Sequence, residues 1–235
     1  SDVQDLRRAM MSETVFSGRL RLGVLPSIGP YLLPQVVKTL HQTHPDLRII
    51  VREENTRDLE IGLRSGRLDA IISTPEDHPN TIQKRLFNES LWVAVATDDV
   101  LADLDGPATA QDLMGQRLLT LDNSHRLSRI VYALAAQTGG VVTDDYEGTS
   151  LDSVLLMAAT GSGVAILPEL FARRQAIYRE EVVVKPLDLP NANRDIALLF
   201  RHEDRTGTGQ ILLTQALREA ADKGGLKTHH DADEA

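Results

Sequence analysis

Helical and strand-like segments take turns along most of this chain, which predicts an α/β fold in two lobes with a cleft between them. Three observations carry that expectation. Apolar residues switch repeatedly between the period of two expected of a strand and the period of about 3.6 expected of a helix. The strand–loop–helix unit occurs in two similar sets that part near Thr97, and a final strand and helix follow them. The chain has 235 residues, 42% of them apolar and 25% charged, the balance of a globular protein long enough for two lobes of about 100–120 residues each.

Taken in order, Val3, Leu6 and Met10 lie at helical spacing behind Asp2, so residues 1–13 read as a short amphipathic helix. From Gly18, Leu20, Leu22 and Val24 alternate with Arg19, Arg21 and Gly23 as in a strand. Pro26-Ser27-Ile28-Gly29-Pro30 breaks it. Tyr31 to His44 resumes helical spacing through Leu32, Leu33, Val36, Val37 and Leu40, and Pro45 forces the helix to stop. Leu47 to Val51 is the second strand. Asn55-Thr56 opens a helix that ends at Ser65-Gly66, and Leu68 to Ile72 and Leu86 to Ala96 are further strands.

The second set begins after the turn-rich 98–107 segment. Arg117 to Leu121, Val141 to Tyr146 and Val164 to Leu167 read as strands, and Arg126 to Gln137 and Ser150 to Thr160 as helices, with Gly161 and Gly163 stopping the latter. Val182 to Val184 and Ile196 to Phe200 are strands, Ile211 to Ala221 is the closing helix, and the polar, aperiodic end of the chain is expected to be disordered. The alternation implies mainly parallel sheets, whose ligands bind at the carboxyl ends of strands.

Composition excludes several classes. There is no cysteine, which removes disulfides, thiolate nucleophiles, cysteine–zinc sites and thiol switches from this chain. The net charge of −9 disfavours binding to a phosphate backbone. No run approaches the roughly 18 apolar residues of a membrane span, so no membrane partner is expected, and the lack of a basic-then-apolar leader favours the cytoplasm. Glu53-Glu54, Asp98-Asp99, Asp144-Asp145 and Glu180-Glu181 would point to opposite faces of a strand rather than form catalytic dyads. Gly161-Ser162-Gly163 follows a helix and so is no nucleophile elbow, His229-His230-Asp231 lies in the polar tail, and neither a Walker loop nor a dinucleotide fingerprint is present. No enzyme, metal or cofactor is nominated.

What remains is a set of strand-to-helix junctions. Ser27, Asn55-Thr56, Asn123-Ser124-His125 and Thr149-Ser150 each put hydroxyl or amide groups beside a helix start, where free N–H groups and the helix dipole favour an anion. Ser, Thr and Asn are also ordinary N-caps, so at any one junction capping alone suffices. His125 and Arg126 add a tunable donor and a permanent cation, though from the residues alone a loop-bonded histidine and a surface arginine are the plainer explanation. If His125 contacts an anion, binding should weaken as it loses its proton between about pH 5 and 8.

Several runs resemble the effector-binding domain of LysR-type transcriptional regulators: Gly18 to Pro34 (GRLRLGVLPSIGPYLLP), Leu40 to Leu47 (LHQTHPDL), Leu63 to Ala70 (LRSGRLDA) and Thr149 to Pro168 (TSLDSVLLMAATGSGVAILP). Within the family, Gly29 to Pro34 and Leu118 to Leu127 are most similar to its peroxide-sensing members. The resemblance runs from about Gly18 to Lys223. It implies two Rossmann-like subdomains with an interdomain cleft, like periplasmic binding proteins. Residues 18–96 with 195–224 would form one subdomain and 97–194 the other. Residues 1–17 would end a linker helix from a missing N-terminal winged helix-turn-helix that contacts DNA, and 225–235 would be a disordered tail.

The resemblance also implies a small-molecule effector, a homodimer or homotetramer, and allows RNA polymerase as a partner. Ser27, Thr56 and His125 match positions that gather around peroxide. Arg126 stands where those sensors carry the reactive cysteine, and Ala135 stands at its disulfide partner. An arginine forms neither sulfenic acid nor disulfide. The expectation is therefore reversible binding of a small anion by Arg126 with Ser27, Thr56, His125, Thr149 and Ser150. A periplasmic-type solute-binding protein for a small anion is the alternative, and an enzyme ranks below both.

Overall fold

Leu20, Leu22 and Val24 bury one face of β1 (Arg19–Val24), whose Arg19 is exposed and Arg21 half-buried, as their alternation requires. In this computed structural model the described residues are 18–143, 146, 148–204 and 206–229. The helix expected over 1–13 lies outside them. The chain divides into two compact units. The first takes residues 18–25, Leu32–Phe87 and 196–229, and the second takes Pro26–Tyr31 and Asn88–Asp195. β4 (Thr81–Ala96) contributes residues to both units.

In the first unit, β1 pairs in parallel with β2 (Arg48–Glu53) and β3 (Ala70–Ser73), in register from Arg19 opposite Arg48 and from Leu22 opposite Ala70. β9 (Asn193–Arg201) lies antiparallel to β3, with Ile71 opposite Leu199. α1 (Gly29–Thr43) turns Leu32, Leu33, Val36 and Leu40 into the core. α2 (Thr56–Arg64) starts at an Asn55 cap whose side chain accepts from the Asp58 N–H at 3.0 Å. Arg21 donates to Asp69 at 2.6 Å and ties β1 to the turn before β3.

In the second unit, β4 lies between β8 (Val182–Pro186) and β7 (Val164–Pro168), antiparallel to both. β5 (Arg117–Leu119) pairs in parallel with β7 and with β6 (Val141–Val142). Leu118, Val131, Leu134, Val154, Ile166 and Phe171 are among its buried core. α3 (Ala110–Leu113), α4 (Arg126–Thr138), α5 (Leu151–Ala159) and α6 (Glu169–Arg174) complete the unit. Gly161 adopts φ +78°, and a Cβ on Gly163 would stand 2.6 Å from the Arg117 carbonyl oxygen, so both glycines are demanded by backbone geometry. α7 (Thr208–Lys223) belongs to the first unit.

The fold is mixed α/β as expected, but its sheets are less parallel. The antiparallel strands are β9 in the first unit and β4 in the second. These are the strands on which the chain arrives from the other unit, so no βαβ crossover dictates their direction. Two short helices, α3 and α6, have too few turns to leave a period in the sequence. Of the stretch expected as a disordered tail, 230–235 lie outside the described residues. Residues 225–229 are ordered: Leu226 is buried, β10 (Lys227–Thr228) pairs with β4, and the His229 N–H donates to the Leu86 carbonyl at 2.9 Å.

Candidate effector site

The junctions named from sequence separate once their bonds are known. Ser150 is the cap of α5, its Oγ accepting from the Ser153 N–H at 3.2 Å, while Thr149 beside it is exposed. Asn123 Oδ1 accepts from Ser128 Oγ at 3.3 Å, and the Ser124 N–H donates to Asp122 at 2.8 Å. Capping and turn chemistry account for these groups. His125 differs: it occupies the cap position of α4 without a side-chain cap bond. Arg126, the first residue of α4, is half-buried and interacts with a neighbour.

The loop bearing His125 is fastened to the loop bearing Thr149. The Asp122 N–H donates to the Gly148 carbonyl at 3.0 Å, and Leu121 bridges Gly148. Gly148 has little room for a side chain, since a Cβ would meet Tyr146 at 2.9 Å. The starts of α4 and α5 are thereby held in one loop cluster of the second unit. Thr120, at the head of this cluster, has a buried hydroxyl with no hydrogen-bond partner.

Ser27 does not cap α1. Its Oγ accepts from Arg194 Nη2 at 2.8 Å, and both residues are buried within the second unit. Arg194 in turn donates through Nε to Glu89 Oε1 at 2.7 Å, with Nη2 2.6 Å from the same oxygen in an ion pair, while Glu89 Oε2 receives the Leu170 N–H at the start of α6 at 3.1 Å. Burial pushes the Glu89 carboxyl up, opposed by the guanidinium and the Leu170 N–H. Burial likewise holds the His125 imidazole below the ordinary histidine value; the Asp122 carboxylate resists this and the Arg194 charge reinforces it. His125 is therefore an uncharged hydrogen-bonding group at neutral pH, and its titration lies lower than its sequence position alone implied.

Thr56 opens α2 in the first unit, buried, with an Oγ1 that has no partner. Ser27, His125, Arg126, Thr149 and Ser150 all fall in the second unit. Sequence reasoning missed Arg194 and Glu89. A lone carboxylate in the apolar Leu86–Ala96 run and a lone arginine ahead of the apolar Ile196–Phe200 run were the available signal, since opposite charges in two core strands survive burial only as partners. Among the described residues no group of three or more acidic, histidine or cysteine side chains is arranged to hold a metal ion.

The second unit thus carries a buried polar cluster of Ser27, Glu89 and Arg194. Residues 14–222 match the family model described as LysR substrate binding domain, and the chain belongs to that family. It is 36% identical over 186 residues to a hydrogen peroxide-inducible genes activator of Pectobacterium carotovorum subsp. carotovorum, covering 79% of this chain and 61% of that protein. It is 32% identical over 207 residues to the DNA-binding transcriptional dual regulator OxyR of Escherichia coli (strain K12), covering 88% of this chain and 67% of that one. The solved reduced form of OxyR shares 32% identity at a TM-score of 0.75, covering 88% of this chain and 98% of that chain. The chain thus spans about three fifths of the length of the Pectobacterium relative. Its likeness is to OxyR regulatory domains, and it carries no cysteine at all. Among the described residues no helix is long and apolar enough to cross a membrane.

Proposed function

We propose that this chain is the effector-binding domain of a LysR-type, OxyR-like, DNA-binding transcription regulator that senses a small anion by reversible occupancy rather than by disulfide formation. In the whole protein an N-terminal winged helix-turn-helix would read DNA, and the domain would act within a homodimer or homotetramer in the cytoplasm and signal to RNA polymerase. An effector that favours one conformational state shifts the population and so biases the DNA-binding modules. The observation that carries this reading is Arg194, locked by Glu89 at 2.6 Å with Nη2 on the Ser27 hydroxyl, in a chain without a thiol. A bound molecule can replace or share the Ser27 bond, His125 offers a neutral ring, and Arg126 at the start of α4 supplies the positive charge for an anion.

A second reading has its own support. Glu89 cancels the charge of Arg194 and His125 is uncharged, so the cluster also suits a small neutral hydroxyl compound, with peroxide bound but not reduced. A thermal-shift screen of small anions and hydrogen peroxide, run on wild type and Arg126→Ala, separates the two. An anion that raises the melting temperature of wild type but not of Arg126→Ala supports the first reading. Stabilisation by peroxide alone, retained in Arg126→Ala, overturns it in favour of the second.

A further inference from the structure

Apolar side chains stand in solvent at one end of the second unit's sheet. The β4–β8 ladder sets Ala96 opposite Val182, so the chain leaves β4 through 97–100 and enters β8 through 177–181 at the same end. Lys185 Nζ donates to the Leu104 carbonyl at 2.5 Å and the Ala108 N–H to the Pro186 carbonyl at 2.9 Å, which lays the stretch after Val100 along β8. Val100 is 77% exposed, Tyr178 76% and Ile177 48%. A single exposed apolar residue is ordinary, but large ones gathered in one place mark a contact surface.

These side chains are held out by fixed turns. Val100 opens a 3₁₀ turn (Val100–Asp103) whose Asp99 cap accepts the Leu101 N–H at 2.8 Å, and Leu101 beside it is buried. Tyr178 ends a second such turn (Ala176–Tyr178), closed by the Arg179 N–H on the Ala176 carbonyl at 3.0 Å, with Ala176 fully buried. A surface already ordered before contact loses less entropy on binding.

Charge says what fits there. Asp98, Asp103, Asp105, Glu180 and Glu181 are exposed along the same two stretches. The basic residues of these stretches are committed: Arg179 pairs with Asp152 at 3.4 Å, and Lys185 holds the Leu104 carbonyl. Such a rim repels nucleic acid and anionic membranes, and a second copy meeting it patch to patch would set acid against acid.

We propose that this surface docks a partner protein through a basic segment in which lysine or arginine side chains flank an apolar or aromatic residue. The apolar residue covers Val100 and Tyr178, while the flanking cations meet the carboxylate rim and steer the encounter. The contact uses none of the candidate effector residues, so the domain would have a protein partner in addition to its small molecule.

Fluorescence anisotropy tests this with the intact chain and a labelled synthetic peptide in which lysine and arginine alternate with leucine and phenylalanine. The peptide should bind, and serine in place of its leucines and phenylalanines should weaken binding roughly tenfold or more. The Val100→Ser, Tyr178→Ser double variant and the Asp98→Asn, Glu181→Gln double variant should each weaken it by a similar factor, with melting temperatures matching wild type. Glu53→Gln with Glu219→Gln, which removes two acids elsewhere, should leave affinity unchanged. Absence of binding, full affinity in either patch variant, equal loss on removing the distant acids, or equal binding of the serine peptide would each overturn the proposal. So would self-association of the chain in sedimentation that Val100→Ser, Tyr178→Ser abolishes, since it would give the surface to a second copy.

Discussion

Arg194 and Glu89, 105 positions apart, form a buried ion pair at 2.6 Å from side chains exposed by 4% and 0%. Burying two charges is costly, and their attraction repays it only with good geometry and further hydrogen bonds, which Ser27 and the Leu170 N–H supply here. Removing one partner leaves an uncompensated charge. Glu89→Gln is expected to cost about 3–5 kcal/mol in urea unfolding, and the Glu89→Met, Arg194→Met pair markedly less. Equal losses from the single and double variants would show that the pair does not hold the unit together.

Ser150 tests capping against ligand contact at one atom. Its hydroxyl accepts the Ser153 N–H, so Ser150→Ala should lose about 1 kcal/mol of stability and leave affinity for an identified effector intact. A large fall in affinity with unchanged stability would instead assign the hydroxyl to the ligand.

Stability should decline in mild acid. Burial lowers the pKa of both His78 and His125 below 6.5. The unfolded chain takes up protons at these rings below about pH 6.5, whereas the folded chain does so only at lower pH. Their contribution is therefore complete above the unfolded value and is lost as pH falls through the folded ones. Unfolding free energies measured between about pH 7 and pH 5 should fall in wild type and be flatter in the His78→Gln, His125→Gln double variant. Parallel slopes would contradict this.

Two neighbouring glycines should respond differently. A methyl on Gly161 meets open space but the residue holds φ +78°, so Gly161→Ala should cost about 1–2 kcal/mol. On Gly163 the methyl would meet the Arg117 backbone of β5 at 2.6 Å, and neither strand can yield without breaking the β5–β7 pairing. Gly163→Ala should be the more damaging of the two in thermal unfolding.

Much of this architecture is legible in the sequence because apolar period reports which face of an element is buried. β1, α1, α2, α4 and α5 fall close to their expected positions for that reason. Strand direction is not legible that way: β4 and β9 have apolar runs that read alike in either orientation. Local junctions such as Ser27 and His125 were visible, whereas the roles of their long-range partners were not. Arg194 means little until Glu89 is known to face it, and no local pattern links residues so far apart.

Pro26–Tyr31 has one more consequence. This short stretch, made early on the ribosome, is counted with residues synthesised some sixty positions later, and its Ser27 waits for Arg194 until nearly the whole domain has emerged. Tyr31 likewise packs edge-on against Phe171, with ring centroids 5.8 Å apart. A fragment excised as residues 88–195 would lack both groups. The second unit is therefore discontinuous in sequence, and genetic dissection of this domain must carry the Pro26–Tyr31 segment along.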